Sequence, residues 1–237
     1  YRKTSTTGRS LIYTAKGNER VYVDKNFIYG TEYSYKVEVS VGGSESNSSA
    51  VGGSLIAMQS PMRFTVQNRV SGIQVKWSKC AGATGYYVYR RTVSSGWRRI
   101  AVINGVNQTS YLDTNTQSGT TYIYTIKSFN GKYMSTYNTN GRRTIFLKTP
   151  KAYSVNSTKN GMQVKYTKAA NAQGYYIYRR TPDTTWKLVG TVKNGSTDTF
   201  YDTTSKKGQT YTYTLRAYKN GVRSSYYSYG YKVKDVH

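Results

Sequence analysis

The stretch Gly85-Tyr-Tyr-Val-Tyr-Arg-Arg91 returns 89 residues later as Gly174-Tyr-Tyr-Ile-Tyr-Arg-Arg180. Aliphatic and aromatic side chains recur in it with a period of two, which is typical of a strand that buries one face. The alternation predicts which side chains share a face: Tyr86 and Val88 point into a core, and Tyr87, Tyr89 and Arg91 point outward. The stretch therefore predicts a β-strand that occurs at least twice.

The same 89-residue step relates the flanking sequence. Pro61 is followed 89 positions later by Pro150, and the other matched segments are Gly72-Ile-Gln-Val-Lys-Trp77 with Gly161-Met-Gln-Val-Lys-Tyr166, and Tyr122-Ile-Tyr-Thr-Ile126 with Tyr211-Thr-Tyr-Thr-Leu215. Self-similarity at a fixed period indicates a repeat architecture. We predict one repeat over residues 60–148 (the middle repeat) and another over residues 149–237 (the C-terminal repeat).

Residues 1–59, the N-terminal segment, carry part of the pattern once more. Its matching residues lie 89 positions before residues of the middle repeat: Tyr22, Asp24, Gly30, Tyr33 and Tyr35. Only the later strands are matched, so we expect half a sandwich that does not fold alone. The missing strands would come either from residues upstream of Tyr1 or from a neighbouring molecule, and we favour the first.

Composition agrees with an all-β chain. The 27 Tyr and 22 Gly favour pleated strands and tight turns, and Pro occurs only 3 times. Asn130-Gly131 and Asn220-Gly221 are dipeptides favoured in two-residue hairpin loops, where positive φ is needed. About seven short strands per repeat result, the strand number of an immunoglobulin-like sandwich.

These residues carry a family resemblance. A Pro at the start, Trp77 on the second strand, Gly-Tyr-x-Val-Tyr-Arg on the third and Gly-Thr-x-Tyr-x-Tyr-x-Ile later resemble the fibronectin type III domain in its bacterial, Gram-positive secreted form. The resemblance covers both repeats and the N-terminal segment. It implies a tyrosine corner at Tyr33, Tyr122 and Tyr211, whose hydroxyl bonds to the backbone a few residues upstream. Tyr166 departs from the pattern by replacing Trp, and we expect it still to fill the core.

The chain is strongly basic, with 35 Lys and Arg against 10 Asp and Glu. Within the middle repeat, thirteen Lys and Arg face a single acid, Asp113, which gives a net charge of +12. Such a charge attracts polyanions over roughly 8 Å in physiological salt. The candidates are anionic cell-wall polymers, acidic glycans, nucleic acid and anionic membrane surfaces.

Catalysis is not expected. The only histidine is His237, so the sequence offers no Ser/His or Cys/His pair and no histidine metal site, and we predict no catalytic residue, metal or cofactor. Asp24, Asp113 and Asp202 recur at one repeat position and are interpreted as turn caps. Cys80 aligns with Ala169 and is interpreted as a packed residue. No apolar run is long enough to span a membrane, and no signal peptide is evident.

The candidate binding face consists of outward side chains on the third strand and its neighbours. It comprises Tyr87, Tyr89, Arg91, Trp97 and Lys127 in the middle repeat, and Tyr176, Tyr178, Arg180, Trp186 and Arg216 in the C-terminal repeat. Rings edged with cations can stack on sugars or anchor a protein partner. The alternative is that exposed Tyr pairs only stabilise the sheet while Arg stems cover the rings.

Three functions compete. The first is an extracellular, non-catalytic adhesion module that recognises a host protein or glycoprotein through this Tyr- and Arg-rich face. The second is a basic spacer or stalk that associates with wall polymers or glycans and is attached to a wall hydrolase or glycosidase. The third, nucleic-acid binding, is disfavoured because the chain lacks any RNA-recognition, OB-fold, KH or helix-turn-helix signature. For the first two we expect a secreted or cell-wall-associated protein.

Overall fold

The computed structural model describes residues 1–46 and 52–236, so His237 lies outside the described residues. The described residues form strands joined by turns and loops, with no helix among them. Two separate hydrophobic clusters of buried side chains organise the chain. One gathers residues from Phe64 to Phe146, and the other gathers residues from Ile145 to Ala217.

The middle repeat forms two antiparallel sheets. Its strands are β6 (Phe64–Arg69), β7 (Gly72–Trp77), β8 (Gly85–Thr92), β9 (Arg98–Asn104), β10 (Ser110–Asp113), β11 (Thr121–Asn130), β12 (Tyr133–Met134) and β13 (Arg142–Ile145). One sheet has the order β10-β7-β6, and the other has the order β9-β8-β11 with β12 and β13 both paired to β11. Since β12 and β13 form one interrupted edge strand, the repeat has the predicted seven strands.

The C-terminal repeat has the same architecture. Its strands are β14 (Ala152–Thr158), β15 (Gly161–Tyr166), β16 (Gly174–Arg180), β17 (Lys187–Val192), β18 (Thr199–Asp202), β19 (Thr210–Lys219), β20 (Val222–Arg223) and β21 (Tyr231–Lys234). Its sheets are β14-β15-β18 and β17-β16-β19, and both β20 and β21 pair with β19. The predicted all-β class of tandem immunoglobulin-like sandwiches is confirmed.

Period-two alternation produces the two cores. On β7, Ile73, Val75 and Trp77 are buried, and on β8 Tyr86 and Val88 are fully buried, as predicted. The segment before the predicted boundary at 148/149 contributes to both cores, because Phe146 packs in the first cluster while Ile145 and Leu147 pack in the second. Adjacent repeats are therefore joined through packed side chains.

The N-terminal segment has one three-stranded sheet and a short hairpin. Its strands are β1 (Arg2–Thr4), β2 (Glu32–Tyr35), β3 (Ser40–Val41), β4 (Ser44–Glu45) and β5 (Ser54–Ile56), with the sheet order β1-β2-β5 and β3 paired to β4. Val37 is 84% exposed, whereas Ile126, 89 positions later, is fully buried. The described residues of this segment contain no counterpart of the β10-β7-β6 sheet, which packs against the second sheet in the middle repeat. How it is completed stays a prediction.

The tyrosine corner occurs in all three copies. The hydroxyl oxygens of Tyr33, Tyr122 and Tyr211 accept hydrogen bonds of 2.9, 3.0 and 3.0 Å from backbone N–H groups five residues upstream. Each ring is buried. The role that the resemblance implied for these tyrosines is confirmed.

The hairpin loops agree with the sequence only in part. In the C-terminal repeat, Asn220 and Gly221 both have positive φ, at 48° and 76°, as a two-residue loop of this kind needs. In the middle repeat the strand register pairs Asn130 with Tyr133, so the loop is Gly131-Lys132 and Asn130 is still in the strand. Asn130 instead donates a side-chain hydrogen bond of 3.0 Å to the carbonyl of Gly82.

The last strand of each repeat is interrupted, which the sequence did not predict. The Tyr-rich run at residues 226–231 consists largely of residues that favour strands, but strands β20 and β21 are separated by residues 224–230. The separating segment lies over the sheet, where the Thr214 hydroxyl donates to the Tyr227 carbonyl at 2.8 Å. Thr125 bonds in the same way to the Asn138 carbonyl. Both threonines lie on the outward side of their strand and are nevertheless buried, because this segment covers them.

Tyr166 fills the core as expected, with 1% of its surface exposed. Its hydroxyl is buried and has no hydrogen-bond partner among the described residues. A buried polar group without a partner costs about 1–3 kcal/mol. We expect Tyr166→Phe to raise the free energy of unfolding by about 1 kcal/mol, measured by urea titration of the whole chain.

Tyr175 provides the matched control, because its ring lies against that of Tyr166 with a centroid distance of 4.8 Å. Its hydroxyl accepts from the N–H of Ala169 and donates to the carbonyl of Gly195, both at 3.0 Å. Tyr175→Phe is therefore expected to destabilise the chain by about 1 kcal/mol. Equal effects of the two substitutions would contradict the assignment of the unpaired hydroxyl.

Candidate functional site

The outer face is defined here as the outward side of the sheet β9-β8-β11 in the middle repeat and of the sheet β17-β16-β19 in the C-terminal repeat. Tyr87 lies on it, half-buried between two neighbours. Its ring stacks on Phe129 with centroids 4.5 Å apart, and the guanidinium carbon of Arg99 lies 4.9 Å from its centroid. Both sides of this ring are thus in contact with the protein's own side chains.

A second group on the outer face gathers around Trp97. The guanidinium carbon of Arg91 lies 5.1 Å from the Trp97 ring, and Tyr137 meets this ring edge-on with a centroid distance of 6.5 Å. The ammonium of Lys127 lies 4.6 Å from the Tyr137 ring and 5.9 Å from the Tyr89 ring. The structure therefore brings the five predicted residues of this repeat onto one face in two adjoining groups.

The C-terminal repeat repeats both groups. Tyr176 stacks on Tyr218 with a centroid distance of 4.6 Å, and Arg223 lies 4.9 Å from the Tyr176 ring. Around Trp186 the contacts are those of Arg180 at 4.8 Å and of Tyr226 at 6.4 Å, and Arg216 lies 4.6 Å from the Tyr226 ring. Tyr178 lies opposite Thr214 in the strand register. Its role in binding stays a prediction.

Sequence reasoning missed the rings contributed by the interrupted edge strand, Tyr137 and Tyr226. The 89-residue spacing between them was a usable signal, as was that between Phe129 and Tyr218. Each of the two edge-strand rings reaches the face because the strand leaves the sheet and returns at a glycine. Gly141 and Gly230 have φ of 67° and 59°, and in both a Cβ would lie 2.9 Å from the Trp ring beside it.

The charge of the outer face is uncompensated in the middle repeat. Four cations lie on it: Arg91, Arg99, Lys127 and Arg143, the last placed there because Arg91 and Arg143 both lie opposite Ile123 in the strand register. None of the four forms an ion pair with a described residue. The single acid of this repeat, Asp113, is buried and pairs with Arg90 at 2.6 Å. The outer face therefore presents positive charge to solvent.

The recurring aspartates cap a turn as predicted. Asp113 and Asp202 also anchor ion pairs inside their sandwiches, which the sequence analysis missed, whereas the pair of Asp24 with Arg2 is more exposed. In the C-terminal repeat, Asp202 accepts from the Thr204 N–H at 3.0 Å, from Arg179 at 2.6 Å and from the Tyr213 hydroxyl at 2.7 Å. The middle repeat has the same set with Arg90 and Tyr124 on Asp113. This Arg-Asp-Tyr triad lies inside the sandwich and supports the fold.

The triad shifts the ionisation of its members. Burial acts to raise the pKa of Asp202, but hydrogen bonds from Thr204 and Tyr213 and the charge of Arg179 outweigh it and hold that pKa below its usual range. Burial and the hydrogen bond to Asp202 raise the pKa of Tyr213. Both shifts favour an ionised carboxylate beside a neutral phenol.

Other chemistry is sparse in the part of the chain that the structure describes. Cys80 is buried, as expected for a packed residue, and burial raises the pKa of its thiol. Residues 1–46 and 52–236 hold no group of three or more His, Cys, Asp or Glu side chains that could bind a metal ion. Nor do they include a helix long and apolar enough to cross a membrane.

No protein-family model matches the chain. A segment of 78 residues, 32% of this chain, is 35% identical to an amylopullulanase of Thermoanaerobacterium saccharolyticum and 33% identical to one of Thermoanaerobacterium thermosulfurigenes. The chain spans 6% and 4% of the length of these proteins.

Among solved structures the chain is similar to a two-domain fibronectin type III segment of chicken tenascin, with 18% identity and a TM-score of 0.39, over 74% of this chain and 99% of that one. It is also similar to three fibronectin type III domains of chicken contactin, with 15% identity and a TM-score of 0.35, over 90% of this chain and 78% of that one.

Proposed function

We propose that this chain is a non-catalytic, basic binding and spacing module of a secreted or cell-surface protein, and that the outer face of its middle repeat binds an anionic cell-wall polymer or acidic glycan. The observation that carries the proposal is the uncompensated charge of that face. With Asp113 buried against Arg90, the other twelve Lys and Arg of the middle repeat have no acidic partner among the described residues. Excess charge of one sign concentrates polyanions at a surface.

The state of the rings favours this function over sugar stacking. Tyr87 is enclosed between Phe129 and Arg99, and Arg91 lies over the Trp97 ring, which Tyr137 also contacts edge-on. A ring whose faces are already occupied offers little area for a sugar to stack on. The rings instead hold the cations in place, so that less side-chain freedom is lost when an anion binds.

The setting is inferred from the relatives. Similarity to short segments of two amylopullulanases supports a place beside a catalytic module in a larger protein. Packed side chains on both sides of residue 146 support a spacer whose repeats are held together directly. A wall- or glycan-associating segment of a hydrolase or glycosidase combines these features.

Adhesion to a host protein or glycoprotein is the competing function. The Tyr, Trp and Arg side chains of the outer face are the residue types that dominate protein interfaces. That function requires the rings themselves to contact the partner. It therefore predicts binding that depends on Tyr87 and Tyr89 and that changes little with salt concentration. The proposed function predicts binding that depends little on these two tyrosines and weakens steeply as salt is added.

The test is retention on immobilised teichoic acid over a series of salt concentrations. We expect affinity to fall steeply with salt, and we expect the substitution to Gln of Arg91, Arg99, Lys127 and Arg143 to lower it by roughly tenfold at low salt and to flatten the salt dependence. The matched control removes the same charge elsewhere in the repeat, by substitution of Arg63, Lys76, Lys79 and Lys132 to Gln, and should retain most of the affinity.

Two results would contradict the proposal. One is an equal loss of affinity in the outer-face variant and in the control variant, which would mean that affinity depends on net charge alone and not on the outer face. The other is binding that survives high salt and disappears with Tyr87→Ser and Tyr89→Ser, which would favour adhesion through the rings. Competition with nucleic acid at physiological salt tests the remaining hypothesis.

A further inference from the structure

A cleft of about 330 Å³ lies where the middle repeat meets the C-terminal repeat. The middle repeat contributes strand β6 and Thr144, and the C-terminal repeat contributes Arg216 and the segment that follows β19. We call it the junction cleft. It is a composite site, because neither repeat forms it alone.

Three arginines line the junction cleft, Arg69, Arg216 and Arg223, and none of the described residues that line it is acidic. None of the three arginines forms an ion pair with a described residue. Guanidinium groups are planar donors that suit carboxylate and phosphate oxygens. The cleft therefore carries a local positive charge that the described protein leaves uncompensated.

Each guanidinium is held by a neutral neighbour. Arg69 donates to the side-chain oxygens of Gln74 and Gln67, at 2.8 and 2.9 Å. Arg216 lies over the ring of Tyr226 at 4.6 Å and Arg223 lies over that of Tyr176 at 4.9 Å. These contacts orient the groups without neutralising them. Preorganised donors lose less entropy when a ligand binds.

Asn68 holds the two walls of the cleft together. Its side-chain amide donates to the carbonyls of Ile145 and Arg223, at 2.9 and 3.2 Å, and its side-chain oxygen accepts from the N–H of Leu147 at 3.4 Å. One side chain thus bridges strand β6, the end of the middle repeat and the β19–β20 hairpin region. The junction is therefore preformed.

Apart from Val66 and Val222, the remaining lining is polar and suits a sugar. It includes the amide of Gln67, the hydroxyls of Thr144 and Ser225 and the phenol of Tyr226. Amides and hydroxyls bond to sugar hydroxyls, and guanidinium groups bond to a carboxylate on the same ring. We infer that the junction cleft binds one acidic sugar residue of a polysaccharide. This inference extends the proposed function, in which a polyanion binds to the outer face of the middle repeat, to a second and more selective site.

The test is titration of the whole chain with a short oligogalacturonate, followed by calorimetry and by amide-resolved nuclear magnetic resonance. A neutral galactose oligomer of the same length and inorganic phosphate serve as comparison probes. We expect the oligogalacturonate to shift the amides of Asn68, Thr144 and Arg223, and to bind more tightly than either comparison probe. Equal binding of the neutral oligomer, or equally tight binding of phosphate at these amides, would overturn the inference.

Variants separate the cleft from the rest of the surface. Substitution of Arg69, Arg216 and Arg223 to Gln should lower the affinity by at least roughly tenfold, and the exposed single change Arg69→Gln should lower it severalfold without affecting the fold. The matched control, substitution of the exposed Lys168, Lys193 and Lys207 to Gln, should retain it. An undiminished affinity in Arg69→Gln and in the triple variant would refute the cleft.

The outer-face variant distinguishes the two proposals. Substitution of Arg91, Arg99, Lys127 and Arg143 to Gln should weaken retention on teichoic acid and leave the oligogalacturonate titration unchanged. If retention is unaffected while the titration is normal, the proposed function fails and the cleft stands. If the oligogalacturonate shifts amides of the outer face and not those of the cleft, the cleft is refuted.

Discussion

Asp202→Asn is expected to lower the free energy of unfolding of the C-terminal repeat by about 3–5 kcal/mol. The substitution leaves the guanidinium of Arg179, 18% exposed, without the carboxylate that it meets at 2.6 Å. It also weakens the hydrogen bond from the Tyr213 hydroxyl, which is buried in the core. A cation inside a sandwich without its partner is costly because both desolvation and lost pairing act against it.

The measurement is urea-induced unfolding followed by circular dichroism. The expected loss is a large part of the about 5–15 kcal/mol by which an ordinary domain is stable. Asp183→Asn is the matched control, because Asp183 is exposed and forms no ion pair with a described residue. It should change the stability by less than about 0.5 kcal/mol. A cost below about 1 kcal/mol for Asp202→Asn would mean that the ion pair does not support the fold.

A third variant separates the cost of an unpaired charge from the value of the pair. Replacing Arg179 by Met, Asp202 by Leu and Tyr213 by Phe removes all polar members of the triad at once. Replacement of a buried ion pair by packed apolar residues is often close to neutral. The triple variant should therefore be more stable than Asp202→Asn, although it differs from the native chain at more positions.

The same triad shows what the sequence could and could not indicate. Arg90, Asp113 and Tyr124 recur with Arg179, Asp202 and Tyr213 at the 89-residue step, so their repetition was visible. Their contact depends on strand register, because Arg90 lies directly opposite Tyr124 across the sheet. The alternation that places Val88 inward also places Arg90 inward. An inward cation needs a buried acid, and Asp113 is the only acid of that repeat.

The strands and cores were predictable because period two and turn residues act locally. The interruption of the edge strand was not, since the residues that leave the sheet include strand-forming tyrosines at 226 and 227. We attribute the interruption to the glycine at which each strand returns to the sheet. Gly141 and Gly230 have positive φ and lie beside a tryptophan ring. Local propensity gives way to this packing, and Tyr137 and Tyr226 reach the outer face as a result.

The candidate site could also be predicted only in part from the sequence. The alternation correctly placed Tyr87 and Tyr89 on the outward side of strand β8, but it could not show that Arg99 and Lys127 lie beside their rings. That depends on side-chain directions across three strands. The junction cleft could not be predicted from the sequence. Arg69 and Arg223 are 154 positions apart, and they line one cleft only because two repeats pack against each other.

Steep alkaline unfolding is the second large effect that we expect. Burial raises the pKa of Tyr166, Tyr175 and Tyr213 in the C-terminal repeat, and the hydrogen bond to Asp202 adds to the rise for Tyr213. The ordinary phenol ionises near pH 10. A raised pKa in the folded state means that the stabilisation is complete below about pH 10 and is lost as the pH rises, because the unfolded chain releases protons that the folded chain retains.

Each retained proton contributes about 1.4 kcal/mol per pH unit, so three tyrosines together give a slope of up to about 4 kcal/mol per pH unit above pH 10. The measurement is the free energy of unfolding against pH, with tyrosinate absorbance recorded on the same samples. Tyr166→Phe should reduce the slope by about one proton, and the Lys168, Lys193 and Lys207 to Gln variant should leave it nearly unchanged. A slope that depended on the lysines and not on Tyr166 would show that loss of surface charge, and not ionisation of buried phenols, unfolds the sandwich.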